Sequence, residues 1–112
     1  MKQKQVIRQK FKEDVFRRDK SKCVTCKREG RDTEAVDAHH IEDRHNFKNG
    51  GYVLENGISL CADCHWKAEQ YHIDLSGLEQ GEDAWVPNFY PIDLYDLIGS
   101  SREKAYKADL TK

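Results

Sequence analysis

Apolar positions recur near helical spacing in "VIRQKFKEDVFRR", where Val6, Ile7, Phe11, Val15 and Phe16 are separated by basic residues. That period predicts an amphipathic helix, ended by the polar stretch "DKSKC". "CVTCKREGRD" reads as a tight turn that carries two cysteines and is closed by Gly30. "TEAVDAHHI" is a short strand candidate, weakly alternating from Ala35 to Ile41. "YVLENGISL" reads as the returning strand, interrupted at Asn56-Gly57. The intervening "EDRHNFKNGG" is a loop, with Asn49-Gly50-Gly51 as its strongest turn signal. Helix formers follow Cys61 in "CADCHWKAEQYHI", so a second helix starts near that cysteine. "DLSGLEQGEDAWVPNFYP" has no period. "IDLYDLIGSSREKAYKADL" predicts short helices, with Gly99 as a stop and Ser100-x-x-Glu103 as a capping box. No internal repeat or low-complexity tract interrupts this order.

A chain of 112 residues suits a single domain with a modest core. Charged residues make up 35% and the mean hydropathy is -0.91, which fits a soluble protein. No apolar run is long enough to span a bilayer, and no signal-like stretch lies near the start. The chain therefore reads as cytoplasmic, with no membrane partner. The net charge of -1 alone argues against nucleic acid. Its distribution argues otherwise: residues 1–31 carry +8, residues 32–65 carry -5 and residues 66–112 carry -4. One strongly basic end is the footprint of a phosphate-binding arm, or else a solvated charged helix.

Cys23 and Cys26 form one Cys-x-x-Cys pair, and Cys61 and Cys64 form another. Zinc takes four convergent soft ligands, and each such turn supplies two. Disulfides suit exported chains, and a redox motif needs one pair rather than two. A closed structural zinc site is the expected outcome, stapling the turn after the first helix to the start of the second.

With the cysteines assigned to zinc, His39, His40 and His65 remain. On a strand, adjacent side chains point to opposite faces, so His39 and His40 should have different tasks. His65 directly follows the last zinc ligand and is placed by it. The ordered set is His-His-Ile, a Gly-Gly turn, Asn-Gly-Ile and Leu-Cys-x-x-Cys-His. This set resembles the HNH endonuclease family over about residues 15–70. The resemblance implies an α+β chain with a ββα-metal (His-Me finger) core: a two-stranded hairpin and a helix pinching one divalent metal. Around that core stand the two Cys-x-x-Cys zinc turns, a basic N-terminal helix (1–22) and a mostly helical or irregular C-terminal extension. The core is expected over 23–72 and the extension over 73–112, packed on it as one domain.

By the same resemblance His40 takes the general-base position, and a histidine suits it because its ordinary pKa lies near working pH. His39 takes the first metal-ligand position, where many members have Asp, and His65 the second. Asn56 matches the central Asn that holds the loop orienting the base. The catalytic metal expected is Mg²⁺ or Mn²⁺, with Zn²⁺ or Ni²⁺ as alternatives. Two departures stand out. Glu42 follows His-His-Ile, where a proline often comes soon after. Glu69 stands one helical turn beyond His65, where many relatives have another histidine, and His72 lies two turns on. Glu69 is either a third ligand or a surface charge.

DNA is the partner the resemblance implies, held along the minor groove with little base reading. Arg8, Lys10, Arg17, Arg18, Lys22 and Arg44 are the candidate phosphate contacts. Trp85, Phe89, Tyr90, Tyr95 and Leu97 in the acidic tail read as packing over the core or as a surface for a protein partner, such as a phage packaging component. If the gene is phage-borne, the location is the host cytoplasm. The expected activity is metal-dependent hydrolysis of DNA phosphodiesters, by nicking or double-strand cleavage, in homing, restriction or packaging. The alternative is a non-catalytic zinc module that binds DNA or protein.

Overall fold

The structure is a computed structural model that describes residues 2–75 and 86–111. Helix α1 (Lys2–Asp19) leads into a short helix α2 (Val24–Arg28). Strands β1 (Asp37–His40) and β2 (Gly57–Leu60) follow, then helix α3 (Ala62–Leu75) and two short helices, α4 (Pro91–Leu97) and α5 (Arg102–Leu110). The strands pair antiparallel, with Asp37 opposite Leu60 and His40 opposite Gly57. Together β1, β2 and α3 make the expected ββα unit.

The strands are shorter than the sequence pattern predicts. Residues 54–56 form a 3-10 turn, so β2 begins only at Gly57, and β1 spans four residues rather than the seven of Ala35–Ile41. The break follows from Asn56, whose side chain is committed to the loop between the strands.

Helix α1 is longer than its apolar pattern. Phe11 and Val15 are buried, but Val6 is 65% and Ile7 46% exposed, so only the second half packs. Gly57 explains how closely α1 lies on β2. A methyl group built there would sit 2.5 Å from Val15 Cγ2 and 2.8 Å from Phe11 Cζ. The end of α1 is then tied down by polar groups. Arg18 donates to the carbonyls of Leu54 (2.8 Å) and Gly57 (2.6 Å), and the Asp19 carboxylate accepts from the Ser59 amide (3.0 Å).

One apolar cluster joins Ile58 and Leu60 of the hairpin to Phe89, Leu94, Tyr95 and Ala105 of the C-terminal segment. Tyr90 and Leu97 are partly buried, as packing residues should be. Trp85 lies outside the described residues, as does most of the stretch predicted to be irregular. Gly30 and Gly99 both take positive φ, at 83° and 68°, and close their turns as read from the sequence. The α5 cap differs from expectation: Ser101, not Ser100, accepts from the Lys104 amide. Ser100 is unavailable because its hydroxyl donates to the Glu55 carbonyl at 2.8 Å. Among the described residues no helix is long and apolar enough to cross a membrane.

Gly57→Ala should therefore destabilise the fold by about 1–3 kcal/mol, the usual range for overpacking a tight core. Denaturant melts of the two proteins measure this, and an unchanged midpoint would contradict the close α1–β2 approach.

Candidate active site and metal centres

The four cysteines converge as their spacing predicts. Cys23 and Cys26 flank the start of α2, and Cys61 and Cys64 the start of α3. All four are buried, unbridged, and have sulfurs within 4.8 Å of one another. Cys26 Sγ lies 3.8 Å from Cys61 Sγ and 3.7 Å from Cys64 Sγ. Thiolates about 2.3 Å from a central zinc stand about 3.8 Å apart at tetrahedral corners, whereas a disulfide needs about 2.05 Å. The donor set and its spacing fit a structural zinc.

Thiolates there need local positive charge. Burial opposes ionisation of Cys26, but hydrogen bonds from Thr33, Cys23 and Arg31 bring its thiol down to about 7. Arg31 Nη2 lies 3.8 Å from that sulfur. The turn itself is closed by the Cys23 amide donating to the Thr33 carbonyl at 2.8 Å.

A second cluster forms where β1 meets α3. The pleat sends Asp37 and His39 toward α3, and Ala38 and His40 toward α1. His39 is 2% exposed, and neither ring nitrogen has a hydrogen-bond partner among the described residues. Glu69 Oε1 lies 3.3 Å from His39 Nδ1, without hydrogen-bond alignment, and 3.2 Å from His65 Nε2. Ligand atoms sharing an ion at about 2.0–2.2 Å stand about 3.0–3.4 Å apart, so these three groups fit a divalent metal. The orphaned nitrogens of His39 are what such a metal would satisfy.

Electrostatics agree with that donor set. Burial pushes His39 down to about 4, leaving a neutral imidazole. The close approach of the His39 ring, with the hydrogen bond to His65, holds the Glu69 carboxyl well below the usual carboxylate range. Glu69 in turn raises His65. Asp37 Oδ2 sits 3.3 Å from His65 Nδ1, which orients the ring and leaves Nε2 toward Glu69.

His40 lies on the other side of β1. It stacks on Phe11 of α1 with centroids 4.5 Å apart and meets the edge of Tyr52 at 4.8 Å. Burial, reinforced by His39, lowers it to about 4, so it is neutral near pH 7. His39, His40, His65, Glu69 and His72 all line one cleft of about 490 Å³. His72 is held there by its Nε2, 3.2 Å from the Ile41 carbonyl oxygen.

Asn56 does not line the cleft. It is fully buried, and its amide group is saturated. Oδ1 accepts from the Glu42 amide (2.9 Å) and the Tyr95 hydroxyl (2.9 Å). Nδ2 donates to the carbonyls of Glu42 and Gly51, each at 3.2 Å. Asn56 thus joins the two ends of the β1–β2 loop, starting two residues after His40.

The six candidate phosphate contacts separate. Arg8 and Arg44 line the cleft, with Arg8 Nε 3.4 Å from the Tyr52 hydroxyl, and neither has a carboxylate partner among the described residues. Lys10 and Arg17 both pair with Asp14 on another side of α1. Arg18 is spent on Asp19 and two backbone carbonyls, and Lys22 pairs with Asp32 and Glu34. Lys12, another basic residue of α1, also lines the cleft.

Residues 23–70 match the family model described as HNH endonuclease. The chain is similar to that family over this segment, which is less than half of its length. The HNH match covers both cysteine pairs, both strands, His39, His40, His65 and Glu69, and leaves α1, α4 and α5 outside it. This supports a nuclease-family assignment, with DNA as the partner the domain implies. No curated protein and no solved structure matches the chain.

The site residues that the sequence missed, or in the case of Glu69 left open, carried unequal signals. Asp37 was legible in principle, two residues before His39 on the same strand face. Glu69 had the i, i+4 spacing from His65 but no way to separate a ligand from a surface charge. Phe11 and Tyr52, which flank His40, carried none, because both contacts are long-range.

Replacing Cys64 with Ser should remove a ligand from the closed site. Zinc content should fall from one equivalent per chain, and helical circular dichroism should fall with it, because binding and folding are coupled. A zinc-free variant with full helix signal would contradict the structural role.

Proposed function

We propose that this chain is an active metal-dependent endonuclease that hydrolyses DNA phosphodiesters, with His40 as general base. The observation that carries the reading is the meeting, in one cleft, of the His39–His65–Glu69 cluster and the neutral imidazole of His40. Neutral His40 takes a proton from the attacking water, and its ring is held flat by Phe11 and Tyr52 rather than free to rotate. His39, His65 and Glu69 hold the divalent ion, which when bound supplies Lewis-acid charge to the scissile phosphate. Asp37 fixes the His65 ring, so that one nitrogen faces the ligand cluster. Arg8, Lys12 and Arg44 meet the phosphates on the His40 side and position the backbone without reading bases. Asn56 is a positioning residue, acting through the loop it closes.

The donor set refines the metal. Two imidazoles and one carboxylate favour Mn²⁺, Ni²⁺ or Zn²⁺ over Mg²⁺, which prefers all-oxygen shells. The alternative of a non-catalytic zinc module is disfavoured by the complete ligand cluster, since a binding module needs no buried unpartnered histidine. An acidic C-terminal protein-partner surface is not required by this reading.

Relaxation of supercoiled plasmid, with and without divalent metal, tests the activity. His40→Ala should lower the cleavage rate by about 10²–10⁴-fold with zinc content and DNA affinity retained. Cleavage near the wild-type rate would remove His40 from the mechanism. Asp37→Ala should weaken the catalytic metal's affinity about 10–100-fold. The metal concentration for half-maximal cleavage measures that, and an unshifted value would remove Asp37 from the site.

A further inference from the structure

We propose that the C-terminal segment 86–111 is a positioning element of the active site, acting through the Arg102–Glu42 ion pair on the strand end that carries His39 and His40. The inference rests on the nuclease reading above and extends it to residues outside the HNH match.

Strand β1 ends at His40, and the chain turns inward at Glu42, which is 2% exposed. The backbone of Glu42 and one of its carboxylate oxygens are engaged. Its amide and carbonyl are held by Asn56, and its carboxylate Oε1 receives Arg102 Nε at 3.0 Å and Nη2 at 2.6 Å. Tyr95 of α4 donates to the same Asn56 oxygen that receives the Glu42 amide. Two separate groups of the C-terminal segment therefore converge on the two residues that fix the chain just after His40.

Partners for buried carboxylates are supplied in both directions. Glu42 belongs to the loop, and its cation comes from α5. Asp109 belongs to α5, is 1% exposed, and takes its donors from the loop: the Asn49 amide at 2.9 Å and the Gly51 amide at 2.8 Å. Either acid, left alone, is a buried and uncompensated carboxylate, which is strongly unfavourable. The loop conformation with Glu42 inside is thus available only when the segment is docked. A cover needed merely to hide apolar surface would use apolar contacts, such as Phe47 against Tyr106, and would not need this exchange.

The effect reaches catalysis through geometry. A base displaced by about 1 Å costs on the order of 10²-fold in rate, even when the cause lies away from the chemistry. Arg102 does not line the cleft, so its loss should act on turnover rather than on DNA affinity.

The test uses the full zinc-loaded chain, with wild type and His40→Ala as references, and reads kcat and KM for a DNA duplex alongside zinc content and melting temperature. Arg102→Met should lower kcat about 10–100-fold with KM within about twofold of wild type. Arg102→Lys should recover part of the loss, because a cation returns without the fork. Tyr95→Phe, which keeps the ring and removes only the hydroxyl, should lower kcat less. Wild-type kcat in Arg102→Met from an active enzyme would overturn the positioning role and leave the nuclease reading standing. Losses that track the unfolded fraction in all three variants would also overturn it, as a merely structural effect. A wild type that cleaves nothing in any divalent metal would overturn both.

Discussion

Adjacent side chains on a strand face opposite ways, and this alternation at His39 and His40 is the constraint on which the site depends. A four-residue strand serves two helices at once. On one side it delivers His39 to His65 and Glu69 of α3. On the other it delivers His40 to Phe11 of α1. A register shift of one residue would exchange the two histidines, and neither face would then have its chemistry. Both helices must consequently be fixed against the same short hairpin. The cysteine cluster fixes the start of α3, and its last member, Cys64, directly precedes His65. The missing side chain of Gly57, with Arg18 and Asp19, fixes α1.

On the proposed reading, the arrangement also separates two kinds of metal site within a small volume. Soft, buried thiolates form a closed set suited to zinc and leave no open position. Imidazoles and a carboxylate line the cleft, where a ligand position can stay open to substrate. Charge within the cleft is graded in the same sense. Acidic groups (Asp37, Asp43 and Glu69) gather toward α3, and Arg8 and Arg44, with no carboxylate partner among the described residues, lie toward α1. Neutral His40 stands between them, in the protonation state that a base requires.

What the sequence disclosed was whatever depends on short spacing. The Cys-x-x-Cys pairs, the His-His dipeptide, the Asn-Gly break and the helix after Cys61 are local patterns, and each appears in the structure where its spacing puts it. Contacts between distant segments had no such pattern. The Phe11–His40 stack, the Tyr95–Asn56 hydrogen bond and the Arg102–Glu42 pair join residues tens of positions apart. Charge counting had a related weakness. The first segment is strongly basic in sum, yet Lys10, Arg17, Arg18 and Lys22 are offset by acids nearby in the sequence. Ser100 was misplaced as a cap for the same reason, since a long-range bond to Glu55 competes for its hydroxyl.

Titration of the zinc-loaded chain with Ni²⁺ or Mn²⁺, followed calorimetrically in wild type, His39→Ala and His40→Ala, addresses the central claim most directly. The expected result is one further metal per chain in wild type, retained in His40→Ala and lost in His39→Ala, because only His39 faces the α3 cluster. Equal loss in both variants, or no second metal in wild type, would contradict a division of labour set by the strand.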